Sequence, residues 1–149
     1  MITQKITYDK KTYNLKSYKE YIDNVLIKTE LYDKQGNLYK VKTIQQETSY
    51  KNNQFHGINK IWCNGNLYSY GKWKNGKRHG IYKTYYPNSN QLRYEYHFNN
   101  GQLNGIYYQW YPNGNIREKA KYKNGKLLQI TTYYESGEVL ENKTFLTKF

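Results

Sequence analysis

Apolar and polar positions in this chain alternate over short stretches, and the stretches themselves recur. An aliphatic residue is followed six positions later by an aromatic one in Leu67…Trp73, Leu92…Phe98, Ile116…Tyr122 and Val139…Phe145. A period of two is the signature of a strand, and an even interval predicts that both ends share a sheet face. Turn-forming residues separate the stretches. Cys63-Asn64-Gly65-Asn66, Tyr86-Pro87-Asn88-Ser89-Asn90, Tyr111-Pro112-Asn113-Gly114 and Glu135-Ser136-Gly137 lie on one side of them. Asn75-Gly76, Asn100-Gly101 and Asn124-Gly125 lie on the other. Asn-Gly accepts positive φ at both residues, so it closes two-residue hairpins. The pattern predicts antiparallel hairpins in series.

The hairpins belong to a repeat. Phe55-His56-Gly57-Ile58, Arg78-His79-Gly80-Ile81 and Leu103-Asn104-Gly105-Ile106 share a plan, with glycines 23 and 25 residues apart. Counting 24 from Gly105 reaches Gln129, in Leu128-Gln129-Ile130, where the glycine is lost and the isoleucine kept. Five positions after the glycine stands an aromatic: Trp62, Tyr85, Trp110 and, counted from Gln129, Tyr134. Spacing varies only in the first turn. Loops tolerate insertions, whereas a one-residue slip in a strand moves every side chain to the other face. Toward the N-terminus, Tyr50 lies seven before Gly57, Asn52-Asn53 takes the turn place and Ile44 lies six before Tyr50. Leu31 to Leu38 reads as another strand–turn–strand, and the stretch from Leu38 to Tyr50 suggests a longer strand pair. Lys5-Ile6-Thr7-Tyr8, the turn Asp9-Lys10-Lys11 and Thr12-Tyr13 suggest a capping hairpin, as an array end requires. The expected fold is all-β: an elongated single-layer antiparallel meander of about five hairpin units with capping ends. Residues 1–24 form the cap and 25–149 the array, within one domain.

The unit Gly105-Ile106-Tyr107-Tyr108-Gln109-Trp110-Tyr111-Pro112-Asn113-Gly114-Asn115-Ile116, closing on Tyr122-Lys123-Asn124-Gly125, resembles a MORN repeat. It is more similar to the variant class in bacterial proteins that carry an antitoxin label and in MORN-repeat proteins of giant DNA viruses. The resemblance runs roughly from Val25 to Phe145 and is best from Tyr50 to Gly125. It implies an elongated antiparallel sheet with one hairpin per repeat. It also implies scaffolding, protein–protein contacts or placement near a membrane, with a lipid-binding role, and no catalytic residues in the repeat itself. Gln129 in the glycine place, and Asn59 and Thr131 where Tyr82 and Tyr107 set an aromatic, depart from the pattern.

Composition sharpens this picture. The chain has 149 residues, 37% of them hydrophobic, with 20 Tyr, 3 Trp and 4 Phe. Its mean hydropathy is −1.11, and no apolar run has the length of a membrane span or a signal peptide. The aromatic content argues against disorder. Cys63 is the single cysteine, which excludes an internal disulfide and fits a reducing compartment. The expected location is therefore intracellular and cytoplasmic. Tyrosine suits the half-buried surface of a single-layer sheet. The sharper alternative is a stacking platform made of Tyr68, Tyr70, Tyr94, Tyr96, Tyr107, Tyr108 and Tyr111.

Charge is the second feature. The formal net charge is +13, of which +10 lies from Tyr50 onward. Arg117, Lys119 and Lys121 alternate along one predicted strand, with Arg93 and His97 in the equivalent places of the preceding unit. Lys74, Lys77 and Arg78 cluster at one hairpin turn. Such a row attracts lipid headgroups, nucleic acid or an acidic protein; it also keeps a long sheet soluble. Enzyme signatures are sparse. His56 and His79 hold one repeat position, which the next unit fills with Asn104. Cys63 has no base or metal-ligand partner at useful spacing, and no glycine-rich phosphate loop occurs.

The expectation is a non-catalytic interaction or scaffold module without cofactor, metal or small-molecule substrate, monomeric or dimerised through its sheet edges. A protein partner is expected first, with Tyr68, Tyr70, Tyr107 and Tyr111 as interaction aromatics. The alternative is peripheral binding to anionic lipid or nucleic acid through Lys74, Lys77, Arg78, Arg93, Arg117, Lys119 and Lys121.

Overall fold

The computed structural model describes residues 1–10, 12, 14–23, 25–43 and 45–145. Among the described residues, fourteen strands form one sheet with antiparallel pairing throughout. They are β1 (Ile2–Tyr8), β2 (Leu15–Ile22), β3 (Val25–Tyr32), β4 (Leu38–Thr43), β5 (Gln46–Lys51), β6 (Gln54–Cys63) and β7 (Asn66–Lys74). Then follow β8 (Lys77–Tyr85), β9 (Leu92–Asn99), β10 (Gln102–Leu103), β11 (Gly105–Trp110), β12 (Ile116–Lys123), β13 (Lys126–Tyr133) and β14 (Val139–Thr144). β10 is a stub on β9, and every other strand lies beside its chain neighbour. The described residues contain no helix, and so none long and apolar enough to cross a membrane.

The expected meander is present. Its two-residue turns have the chemistry read from the sequence. Asn75-Gly76, Asn100-Gly101 and Asn124-Gly125 have φ of 50/74°, 49/87° and 49/79°, and Asn52-Asn53 imitates them at 50/57°. At the opposite end of the strands longer loops turn on Tyr86 N–Gln91 O (3.0 Å), Tyr111 N–Asn115 O (2.8 Å) and Tyr134 N–Glu138 O (2.8 Å). Tyr86 Oη donates to Trp110 O at 2.7 Å and Tyr111 Oη to Tyr133 O at 2.9 Å, tying each loop to the next hairpin.

Bulges refine the sequence reading. Ile61 faces Ser69 and Trp62 faces Leu67, which leaves Tyr68 as an extra residue; Arg93, Arg117 and Leu140 are extra in the same way. The six-residue interval therefore crosses a bulge, and its two ends do not share a face as expected. Leu67, Leu92 and Ile116 pair with Trp62, Tyr85 and Trp110 on one face, while Trp73, Phe98 and Tyr122 lie on the other. A second bulge contains the repeat glycine. Gly71 faces Tyr82 and Trp73 faces Arg78, so β8 carries two extra residues there. In the last unit Ala120 faces Ile130 and Tyr122 faces Leu127, leaving only one. The expected alignment of Gln129 with the glycine is thus corrected by one residue. Leu128 stands in the glycine's place, Ile130 (not Thr131) in that of Tyr107, and Tyr133 (not Tyr134) faces Val139 as Trp62 faces Leu67. The shorter bulge needs no left-handed residue, and neither Leu128 nor Gln129 has positive φ.

The N-terminal expectations also shift. The cap's return strand starts at Leu15, not Thr12, because Asp9 Oδ1 accepts Thr12 N (3.0 Å) and holds the turn open to Asn14. Lys11 and Tyr13 of the expected cap, and Ile44, lie outside the described residues. The strands between Leu38 and Tyr50 are short, six residues each, joined by a turn in which Thr43 Oγ1 accepts Gln45 N and Gln46 N. The sheet is continuous across the boundary expected at residue 24.

A single layer buries little. Thr48, Ser69, Gly71 and Ala120 are the buried residues among those described. The accessible surface is 10362 Å², against about 8,000 Å² for a compact monomer of this mass. One face carries most of the packing. Tyr50, Phe55 and Trp73 follow one another at 5.2 Å between ring centroids. Phe98, Tyr96, Tyr94, Tyr107 and Tyr122 continue the run at 5.1–6.4 Å. The Arg78 guanidinium joins the two groups, 5.5 Å from the Trp73 ring, 4.5 Å from Tyr82 and 5.5 Å from Phe98.

Candidate binding surface

The opposite face is built by register. Directly paired residues share a face, and one continuous row crosses the array: Glu47, Lys60, Tyr70, Lys83, Glu95, Tyr108, Lys119, Thr131. Two residues along the strands, Ile58 faces Lys72, Ile81 faces His97, and Ile106 faces Lys121, which faces Gln129. The repeat isoleucines thus line this second face beside a cation or histidine. Ile58, Ile81 and Tyr68 are each more than a third exposed.

The electrostatics differ from hairpin to hairpin. Toward β9, Glu95 accepts Lys83 Nζ at 3.1 Å and lies 3.1 Å from His97 Nε2. Burial alone would raise the Glu95 carboxyl, but His97 and Lys83 hold it below the usual range. Lys40 pairs with Glu47 at 2.6 Å. On β12, Arg117, Lys119, Lys121 and Lys123 have no ion pair among the described residues. All four are exposed and alternate with inward-facing neighbours. Arg117 lies 5.6 Å from the Tyr111 ring and Lys119 5.8 Å from the Tyr108 ring. Tyr108 and Trp110 stack at 5.4 Å and 26°.

The sequence-predicted residues are only partly brought together. Arg117, Lys119 and Lys121 form one column, as expected. Arg93 lies on the equivalent column of β9, over the Tyr86 and Tyr94 rings at 5.5 and 5.1 Å. Lys74 and Lys77 face each other across their turn. Arg78 leaves the cluster and packs into the aromatic face. Tyr68 and Tyr70 lie on the basic face, whereas Tyr107 lies on the aromatic face, where burial pushes its hydroxyl pKa up. Tyr111 closes a loop through its bond to Tyr133 O. Of the proposed stacking set, Tyr94 stacks on Tyr96 and on Tyr107, and Tyr96 and Tyr107 meet tilted at 5.1 Å. Trp110 and Tyr133 join the basic face, and their position closing the first strand of each unit is the signal that marks them.

The repeat position before the glycine has a structural role. His56 Nδ1 accepts Asn75 N at 3.5 Å, and Asn104 Oδ1 accepts Asn124 N at 3.1 Å, so these two brace the next Asn-Gly turn, whereas His79 Nδ1 is buried without a hydrogen-bond partner among the described residues. Cys63 is a free, exposed thiol at a hairpin end. Among the described residues no group of three or more His, Cys, Asp or Glu could hold a metal ion. No protein-family model matches this chain. No curated protein matches it either.

Proposed function

We propose that this chain is a non-catalytic, MORN-like binding module that docks a protein partner on the second face of its sheet. The observation that supports this most is the uncovered single layer. Its surface exceeds that of a compact monomer by about 30%, and the second face offers Ile58, Tyr68, Tyr70 and Ile81 within a frame of Lys60, Lys72 and Lys83. An aromatic centre with a polar rim is the anatomy of a protein interface. Each hairpin adds the same geometry, so the docking surface is long and rigid. The test is a pull-down with purified, nuclease-treated protein washed at high salt. A partner held by the wild type and lost by Tyr68→Ala/Tyr70→Ala supports the reading. A complex that survives this double substitution places the contact elsewhere.

A second reading has its own observation. The four unpaired cations of β12 suit an anionic surface, lipid or nucleic acid. On this reading Arg117→Glu/Lys119→Glu abolishes retention on anionic vesicles or nucleic acid, and unchanged retention removes β12 from the assignment.

A further inference from the structure

Three strands of the second face make a grid. The middle column, on β12, is Arg117, Lys119 and Lys121. On one side β11 places Ile106 beside Lys121, Tyr108 beside Lys119, and Trp110 at the bulge. On the other side β13 places Gln129 beside Lys121, Thr131 beside Lys119, and Tyr133 beyond them. Ile106, Lys119, Lys121, Gln129, Thr131 and Tyr133 border a shallow groove of about 310 Å³. A cation column is thus flanked on one side by the half-buried, mutually stacked rings of Tyr108 and Trp110 and on the other by hydroxyl and amide groups. The preceding unit has the same geometry without the same chemistry, because Glu95 stands where Lys119 stands and takes both Lys83 and His97.

We infer that this grid binds single-stranded nucleic acid, with the phosphates along β12 and the bases turned toward Tyr108 and Trp110. The inference rests on the electrostatic reading above and names its ligand. Same-face residues of a strand recur about every 6.7 Å, so Arg117, Lys119, Lys121 and Lys123 form a line of evenly spaced charges. A polyanion with regularly spaced charges can neutralise the whole line; a single anion meets two of them. The flanking aromatics decide between polyanions. A stacking platform beside a cationic track is what unpaired bases use, and it serves any base sequence because every base has a π-face. A lipid headgroup or an acidic peptide gains nothing from it, and a duplex hides its base faces. Gln129, Thr131 and Tyr133 supply hydrogen-bonding groups for sugar and base edges.

The test is fluorescence anisotropy with labelled homothymidine and homouridine oligonucleotides over a salt series. Vesicles containing phosphatidylserine are measured in parallel by sedimentation. With three to four phosphates engaged, log K should fall against log salt with a slope of about −2 to −3. Lys119→Glu/Lys121→Glu should weaken oligonucleotide binding at least about 100-fold at low salt. Lys74→Glu/Lys77→Glu, an equal change of net charge at a distant turn, should weaken it only a few-fold. Tyr108→Leu should cost roughly 5- to 100-fold while leaving the salt slope unchanged. Circular dichroism of each variant checks the sheet. Equal losses from the two charge reversals, or an unchanged affinity in Tyr108→Leu, would overturn the inference. Vesicle binding that depends on β12 without oligonucleotide binding overturns it while sparing the electrostatic reading. Dependence of neither on β12 removes both.

Discussion

Gly71→Ala tests the packing logic of the aromatic face. A Cβ built on Gly71 would lie 2.4 Å from Tyr82 Cδ2 and 3.0 Å from Cε2. An ordinary contact needs at least 3.4 Å, so the Tyr82 ring must move by about 1 Å. That ring also carries the Arg78 guanidinium at 4.5 Å and meets Phe98 edge-on at 6.4 Å. Overpacking of this kind costs about 1–3 kcal/mol. Replacing glycine inside a strand returns about 0.5–1 kcal/mol of backbone entropy, and Gly71 has no positive φ to obstruct alanine. The net expectation is a loss of roughly 1–2 kcal/mol. The assay is a double-mutant cycle by urea denaturation, followed through the combined fluorescence of Trp62, Trp73 and Trp110. In a Tyr82→Ala background the clash is gone, and Gly71→Ala should become neutral or stabilising by about 0.5–1 kcal/mol. The reasoning fails if Gly71→Ala costs the same in both backgrounds.

Two further outcomes follow from the same face. Glu118 is raised by burial, and its neighbour Arg117 offsets this only in part. A carboxyl raised on folding stabilises most below its unfolded pKa, and that contribution is lost as pH rises through the folded pKa. Glu118→Gln should therefore match the wild type in acid and exceed its stability at neutral pH, as read by denaturation midpoints across pH; a constant difference would contradict the assignment. Thr84 Oγ1 and Ser69 Oγ are buried without hydrogen-bond partners among the described residues, and the two residues face each other across β7 and β8. Thr84→Val removes one of them at constant shape and should raise stability by about 1 kcal/mol, seen as a higher Tm, whereas a lower Tm would mean the hydroxyl is satisfied.

Strands and turns were legible because their chemistry is local. Asn-Gly pairs specify positive φ wherever they stand, and alternation shows within six residues. The bulges were not legible. Tyr68, Arg93, Arg117 and Leu140 are each the extra residue of their unit, so the interval that includes them stays constant and conceals them. The last glycine-site bulge lost one residue between Gly125 and Leu128, and a count from glycine to glycine cannot say which residue left. Arg78 carried a usable signal. It holds the place of Phe55, Leu103 and Leu127, opposite an aromatic and next to a two-residue turn, and those equivalents point to the packed face. Its charge drew it instead into the basic cluster. The Arg117, Lys119, Lys121 column was legible because alternation alone aligns it. Its flanking columns needed the cross-strand register, which no single strand encodes.

One repeat thus constrains its two faces differently. On the aromatic face a single row runs Asn59, Gly71, Tyr82, Tyr96 by direct pairing, and Tyr107, Ala120, Ile130 continue it beyond the Tyr96–Tyr107 ring contact. Sizes in this row compensate across strands: glycine lies under Tyr82, and alanine lies between Tyr107 and Ile130. Each residue there is set by its neighbours, and changing one calls for a change in the next. On the second face the equivalent positions of successive units are Tyr70, Glu95 and Lys119. Glu95 is matched by Lys83 and His97, so its neighbours account for it. Lys119 has no acidic neighbour on β11 or β13, nor do Arg117 and Lys121. Arg117 and Lys119 rest instead over the Tyr111 and Tyr108 rings, at 5.6 and 5.8 Å. The packing accounts for Ala120 and Tyr122 on β12, while Arg117, Lys119 and Lys121 stay exposed on the other face, where charge also keeps a long sheet soluble.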